Sequence, residues 1–474
     1  MESEPNGRSV GGWKRLAAAT LVALVGCDAA VAGGVTPFAP PSQDTSVLFR
    51  HATLIEGVMA GSQRDMDVLV VGDRIRQVFR DVAPLPKAAA DATVIDLAGA
   101  YLAPGLIDAH VHLATPPNRR QAEAEQRRNL YGGVTAVRDM ADDLRAVGDL
   151  SRASYVGEIA GPDIYYAALM AGPDFFSDPR TTATSAGGLP GQVPWMQAVD
   201  DATDIPLAVA LSRGTYATAI KLYADMTPGL ARRITAEAHR QKLRVWAHAT
   251  LYPAKPSDVV AAGADVLSHA CLLVREPDTH VPRWVEPHNH VDLDQFRSGR
   301  APSLEPLFAV MASRGTILDA TVWAYKRTPP SPGAPPGLTP PLVSGGCDDV
   351  VGGAITGQAY RAGVQVAAGT DSVAPASEKW PELFHELSAL VDQAGLTPAA
   401  ALRSATAINA RAAGQERDMG SIEPGKLANM IVLSESPLVS VENLKSLRMT
   451  IKRGRVFRRD DFVPLEEGDI TDMD

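Results

Sequence analysis

Cysteine is nearly missing from this chain of 474 residues: there are three, Cys27, Cys271 and Cys347, and no CxxC pair. A disulfide scaffold and a zinc ribbon are therefore excluded, because both need more cysteines at short spacings. Runs of lysine and arginine are missing too. With 45 basic against 55 acidic residues and a formal charge of -10, the chain offers no basic stripe to grip a phosphate backbone, and no nucleic acid partner is expected. The long apolar runs of a polytopic membrane protein do not occur. What is present is a globular composition, 45% hydrophobic and 21% charged, that can bury a large core. The length suits one α/β barrel, which takes about 250 residues, together with a smaller domain.

The first residues look like an address. Arg8, Lys14 and Arg15 precede an apolar run from Leu16 to Gly26, too short to span a bilayer and the right length for a secretory h-region. The run ends in Leu24-Val25-Gly26-Cys27, which resembles the lipobox of a bacterial lipoprotein, with Cys27 as the lipidated residue. Cleavage after Ala30-Val31-Ala32 is the alternative and would release a soluble exported protein; a cytoplasmic protein with a chance apolar run is the third reading. Export to the bacterial periplasm or cell envelope, with a lipid anchor as the only membrane contact, is the expectation. Residues 27–44, rich in proline, read as a linker.

Beyond the linker the chain divides into three. Residues 45–103 are short and β-like, with a Gly72-Asp73 turn between alternating runs, and the same texture returns in 415–463 before an acidic tail, 464–474. The two ends are expected to pair into one discontinuous antiparallel β-sandwich. Between them, in 104–414, apolar strand-like runs at 105–109, 134–138, 164–168, 217–222, 243–247, 266–268, 316–319 and 365–369 alternate with helical segments, which predicts a (β/α)8 TIM barrel. Two connections are long, 275–302 and the proline-crowded 327–346.

In such a barrel, residues at the C-terminal ends of strands face the active site. That rule selects His110 and His112 after the first strand, Lys221 after the fourth, His248 after the fifth, His269 after the sixth and Asp371 after the eighth. Four imidazoles and a carboxylate suit zinc or a similar divalent ion and are too many for one tetrahedral site, so two metal ions are expected. Lys221 can join them if it reacts with CO2 to form a carbamate. His288 and His290 form a second His-x-His in a polar loop, where a coincidence is the simpler reading for metal binding and substrate binding is the other use considered. His51, His239 and His385 read as structural, while Arg138 and Tyr223, near strand ends, are either substrate or transition-state donors or core packing.

The segment Leu102-Ala103-Pro104-Gly105-Leu106-Ile107-Asp108-Ala109-His110-Val111-His112 resembles the first-strand signature of the amidohydrolase superfamily. Gly132-Gly133-Val134-Thr135, the Gly369-Thr370-Asp371 step and Gly420-Ser421-Ile422-Glu423-Pro424-Gly425-Lys426 are similar to later family segments, and the fourth-strand lysine looks like the prolidase-like, Xaa-Pro dipeptidase-like branch. The resemblance implies one metal on His110, His112 and Asp371, a second on His248 and His269, and carboxylated Lys221 bridging them. It implies hydrolysis of an amide, peptide-like or N-acyl, in a small-molecule substrate, with Asp371 as general base and then acid. The same centre acting on an ester, lactone or phosphotriester is the alternative, and a non-catalytic binding lipoprotein is a third reading. A homo-oligomer is left open.

Relatives often carry a Gly-Gly-His-Gly segment after the third strand that helps to bind a substrate carboxylate; here the place reads Ala171-Gly172-Pro173-Asp174-Phe175-Phe176-Ser177. Asp174 is expected to repel an anionic substrate end, and Phe175, Phe176 and Tyr325, with Trp195 or Trp323, to wall the pocket, so that neutral amides are preferred. Cys271 and Cys347 flank the active-site face; a disulfide between them and two buried free thiols are both open.

Overall fold

A computed structural model of the chain describes residues 45–464 apart from 58–60, 82–83, 289, 327–345 and 373–377. The export signal expected at 1–26, Cys27, the rest of the expected linker, most of the proline-rich connection and the acidic residues after 464 lie outside the described residues.

Five strands open the fold: β1 (Ser46–Leu54), β2 (Gln63–Val71), β3 (Arg74–Arg80), β4 (Thr93–Asp96) and β5 (Tyr101–Pro104). They are joined from the far end of the sequence by three more, which follow the barrel and are numbered after its strands. The barrel runs through β6 (Leu106–Val111), β7 (Val134–Asp139) and β8 (Asp163–Ala171). A side hairpin of β9 (Gln192–Val193) and β10 (Met196–Ala198) follows, then β11 (Ala219–Leu222), β12 (Arg244–His248), β13 (Val266–Ser268), β14 (Ile317–Asp319) and β15 (Val366–Ala367). The returning strands are β16 (Met430–Leu433), β17 (Leu447–Lys452) and β18 (Arg455–Arg458).

The two chain ends meet where β16 pairs antiparallel with β5, Met430 opposite Pro104 and Leu433 opposite Tyr101. The eight strands then form one continuous path, β18-β17-β16-β5-β1-β2-β3, with β4 beside β1. Two pairings are parallel, β1 with β4 and β1 with β5, where the sequence suggested an antiparallel sheet throughout. The reason is that β4 and β5 run in the same direction as β1. Alternate residues from both halves of the path, among them Val68 and Val70 of β2 and Met449 and Ile451 of β17, share one apolar cluster, so the sheet wraps around its own core.

The parallel strands are the buried runs a two-sided parallel sheet requires. Hydrogen-bonded neighbours run β6-β7-β8-β11-β12-β13-β14-β15, and the seam closes where Ala109 N–H donates to Ala368 O at 3.0 Å and Asp371 N–H to His110 O at 2.9 Å. Outside lie amphipathic helices such as Pro228–Arg240. It begins at a Thr227 cap that accepts from Leu230 N–H, and it buries Leu230, Ala231, Ile234 and Ala238 against the barrel. The C-terminal half of β8 is longer than β7 can cover, and β10 takes the vacant edge, with Met196 opposite Leu169 and Ala198 opposite Ala171. Residues 172–199 thereby stand as an extra wall at the mouth of the barrel.

A buried ion pair joins sheet and barrel. Lys452 of β17 donates from Nζ to Asp163 Oδ1 at 3.0 Å, Ser154 Oγ at 3.0 Å and Gly161 O at 2.7 Å, and Arg453 reaches Asp163 Oδ2 at 2.9 Å. Burial lowers the Lys452 ammonium, and Arg453 is the second cation facing Asp163. Burial opposes the charge on Asp163, but the two cations hold its carboxyl below the ordinary value. The stabilisation this depressed group contributes is complete above the unfolded carboxyl pKa of about 3.9 and is lost as pH falls through the folded value. Asp163→Ala should cost about 3–5 kcal/mol, because it leaves Lys452 charged or desolvated without its partner. Urea denaturation at neutral pH checks this; a loss under about 1 kcal/mol, the value of a surface pair, would contradict it.

Candidate active site

All six side chains selected at the strand ends line one cavity of about 270 Å³ at the C-terminal mouth of the barrel: His110, His112, Lys221, His248, His269 and Asp371. Candidate ligand atoms of His110, His269 and Asp371 lie within 4.8 Å of one another. His110 Nε2 is 3.6 Å and His112 Nε2 3.4 Å from Asp371 Oδ1, and His269 Nδ1 is 3.7 Å from Asp371 Oδ2. The His248 and His269 ring centroids are 4.6 Å apart. Lys221 is buried, with Nζ 3.4 Å from Ser268 Oγ.

Backbone geometry aims these groups. His269 and Asp371 both sit in left-handed conformations, φ 74° and 46°, uncommon for residues with a Cβ, and each follows directly on a short strand or its extension. The glycine of the Gly-Thr-Asp step is explained by close approach: a Cβ on Gly369 would stand 2.3 Å from Asp319 Oδ1 and 2.6 Å from His110 Cβ. Thr370 in turn donates to the buried Asp108 carboxyl at 2.9 Å, which fixes the loop that carries Asp371.

Behind the cavity stands a layer of partners that sequence reasoning did not find. His110 Nδ1 is 2.8 Å from Asp319 Oδ2, His112 Nδ1 is 2.7 Å from Asp142 Oδ1, and His269 Nδ1 is 2.9 Å from Thr321 Oγ1. With Nδ1 occupied, His110 and His112 turn Nε2 toward Asp371 and the cavity, which is the arrangement metal-binding histidines adopt. Asp319 is fully buried, and its Oδ2 also accepts from Ser268 Oγ and from Arg138 Nη2, each at 2.9 Å. The strand-end rule could have selected Asp319, the last residue of β14; Asp142 and Thr321 lie in turns and carried no signal.

Burial sets the charge states. It lowers His110, lowers His248 well below the ordinary value, with the neighbouring Lys221 adding to the effect, and takes His269 to about 3, so these imidazoles are neutral, as ligands must be. Burial also pulls His112 down, but the carboxylates of Asp142 and Asp371 overcome it and raise that ring. Lys221 is lowered to about 7 by burial, against the pull of Asp319. Asp371 is opposed by burial and yet held ionised, well below the carboxylate range, by His110, His112 and His269. Three neutral imidazoles, a carboxylate, an amine without a fixed charge and a fourth imidazole, His112, that a metal ion can take in place of its proton make a donor set that fits divalent metal ions.

The other candidates separate. Tyr223 lines the cavity with its ring 3.9 Å from that of His248, and Phe175 lines it with its ring 4.5 Å from Tyr223. Phe176 packs on Phe175 and does not line the cavity. Tyr325 is half-buried and edge-on to His269 at 6.3 Å. Arg138 is no substrate donor: it is fully buried beneath the site, bound to Ala109 O at 2.6 Å and to Asp319, with its guanidinium over Trp246. His288 stacks on Tyr252 at 4.5 Å and His290 is exposed; neither joins the cavity. Trp195 bonds to Thr184 O and Trp323 stacks on His385, so both are packing. The aromatic from the long connection that does reach this region is Trp284, 5.6 Å from Phe175. Asp174 does not oppose an anion in the cavity, because it is outside the lining and paired with Arg283 at 2.9 Å. Arg180, unforeseen in the sequence, does line it. Cys271 and Cys347 are joined by a disulfide with Cα atoms 5.7 Å apart.

Comparison with known proteins agrees with this architecture. The Amidohydrolase family model matches residues 356–457. A dihydroorotase of Syntrophotalea carbinolica (strain DSM 2380 / NBRC 103641 / GraBd1) is 42% identical over 79 residues, 16% of this chain and 17% of that protein, so the chain matches about a sixth of its length. The crystal structure of a Xaa-Pro dipeptidase with bound methionine in the active site superposes with a TM-score of 0.69 at 20% identity, covering 87% of this chain and all of the other. A putative prolidase from Bifidobacterium longum gives 0.63 at 26% identity over 90% and 97%. The barrel and the wrapped sheet are the fold these solved structures share, and the C-terminal part of the chain, residues 356–457, is similar to the Amidohydrolase family.

Removing the negative charge beneath His110 tests the supporting layer. Asp319→Asn should weaken zinc binding about 10–100-fold, the usual cost of losing such a partner. Competition with a chromophoric chelator reads it, and unchanged affinity would show that Asp319 does not support the site.

Proposed function

We propose that the protein is a binuclear metal-dependent hydrolase that cleaves an amide bond, peptide-like or N-acyl, in a small-molecule substrate. The observation that carries this reading is the convergence of four histidines, Lys221 and Asp371 on one cavity, with three of the imidazoles held from behind at Nδ1. By ligand type the ions would be zinc; as the family resemblance implies, His110, His112 and Asp371 would hold one and His248 and His269 the other, and a carbamate on Lys221 would join them. The low Lys221 value makes the neutral amine available near neutral pH; its nitrogen attacks CO2, and one proton leaves as the carbamate forms. Bound divalent ions supply an activated water and polarise the substrate carbonyl.

The chain's own residues do the rest. Asp371, kept ionised by the surrounding imidazoles, takes the proton of the attacking water on a carboxylate oxygen and returns it to the departing nitrogen. The Tyr223 phenol, beside His248, is placed to donate to the substrate carbonyl oxygen. Leu169, Phe175 and Met196 exclude water from one wall, which strengthens these interactions. The Cys271–Cys347 disulfide supports export, since such bonds persist in oxidising compartments. We place the protein at the cell envelope, anchored through Cys27.

Metal analysis should find two divalent ions per chain, and Lys221→Ala should lose both the ions and turnover, with partial recovery in short-chain carboxylic acids. One ion in the wild type, retained by the variant, defeats the binuclear reading. Asp371→Asn should lower kcat about 10²–10⁴-fold on any amide that is turned over. Cys27→Ser should release the protein from the membrane fraction; unchanged fractionation argues against the anchor.

A further inference from the structure

One helix that carries none of the candidate ligands holds the turn behind His269. Thr321, whose Oγ1 is 2.9 Å from His269 Nδ1, follows β14 in the left-handed region, φ 48°. A β-branched residue is strained there and persists only where its surroundings over-determine it. The determining contacts lie on the next two residues. Glu386, with no exposure, accepts from Val322 N–H on Oε1 at 3.1 Å and from Trp323 N–H on Oε2 at 2.7 Å. These donors are left open at the start of the short helical turn Trp323–Tyr325. At the head of the same helix, Leu383–Asp392, Glu382 accepts on Oε2 from Trp323 Nε1 and from Ser372 Oγ, each at 2.8 Å. Ser372 follows Asp371 directly and lines the cavity.

The two glutamates therefore tie the turn behind His269 to the residue after Asp371, with Trp323 gripped by its backbone on one side and its indole on the other. A carboxyl at position 386 is costly to keep. Burial pushes it up to about 8, the two N–H groups pull it back, and Asp319 adds to the rise. Leucine would fill a similar volume without that cost. Glutamine would accept from one N–H but set its own NH2 against the other. A carboxylate presents two acceptors side by side, and the geometry uses both.

We propose that Glu386, with Glu382 beside it, is a positioning residue of the metal centre: its two-pronged hold on Val322 and Trp323 sets Thr321 against His269, while Glu382 sets Ser372 next to Asp371, so that one helix fixes the spacing of two candidate ligands of different ions. The inference rests on the binuclear reading for the ions, though not for the brace itself.

Two measurements separate the claims. The first is zinc titration against a chromophoric chelator. Glu386→Leu, which removes both acceptors, should weaken one of the two ions at least about tenfold and the other less than about twofold. Glu386→Gln, which keeps one acceptor, should recover part of the loss. Val391→Ala loosens the packing of the same helix away from the turn; it should lower the Tm and leave both affinities unchanged. The second is the crystal structure of metal-free Glu386→Leu, or of Glu386→Gln should the leucine variant not fold. The 321–323 turn should shift and His269 Nδ1 should lose Thr321 Oγ1. Retention of that contact, or zinc affinities that are unchanged or lowered equally for both ions, overturns the brace and leaves the binuclear reading intact. If the wild type takes up a single ion, whose affinity falls in the variant as the contact is lost, the binuclear reading fails and the brace stands.

Discussion

A single buried carboxylate oxygen holds the centre of this structure together. Asp319 Oδ2, with no exposure, accepts from His110 on β6, Arg138 on β7 and Ser268 on β13, while Asp319 itself ends β14. A charge so deep would be costly if unpaired. Arg138 supplies the compensating cation, and its own position is fixed by Ala109 O and by the face of Trp246. The consequence reaches the site. The tautomer and tilt of His110 are set from below, Gly369 must lack a Cβ to pass the other oxygen of Asp319, and the Gly-Thr-Asp turn that presents Asp371 is positioned by the same close approach. The charge pair is thus structural in place and functional in effect.

The fold divides labour between this rigid floor and a variable rim. Strand ends carry the candidate ligands, where each backbone is held on both sides by parallel neighbours. The rim is built from connections, chiefly the 172–199 insertion and the residues around Trp284, and it supplies much of the apolar wall and Arg180, the one arginine among the described residues that line the cavity. The Cys271–Cys347 link ties the turn just after His269 to the start of the helix Asp349–Arg361, so part of the rim is fastened to the floor. Chemistry and selectivity can then vary separately, the first through the strand ends and the second through the loops.

The floor was legible in the sequence and the rim was not. Periodicity located the barrel strands within a few residues, because buried parallel strands are short apolar runs, and the strand-end rule then selected six side chains that the fold gathers around one cavity. The same rule overreached at Arg138, because the end of a strand also contains residues whose side chains point down into the barrel. It underreached at Asp319, which read as an ordinary strand terminus. Arg180 had no periodic context: it lies on a single turn and a half of helix in an irregular insertion, and only the pairing of β10 with β8 brings it over the cavity. Asp174 misled for a related reason, since its partner Arg283 is far away in the sequence.

The account's central claim is that the six strand-end side chains form one binuclear metal centre. Anomalous diffraction from crystals of the zinc-loaded protein tests it most directly. The account predicts two peaks about 3.5–4 Å apart, one against His110, His112 and Asp371 and the other against His248 and His269, with density for a carboxylated Lys221 between them. A single peak, or metal bound away from these residues with an unmodified lysine, would contradict it.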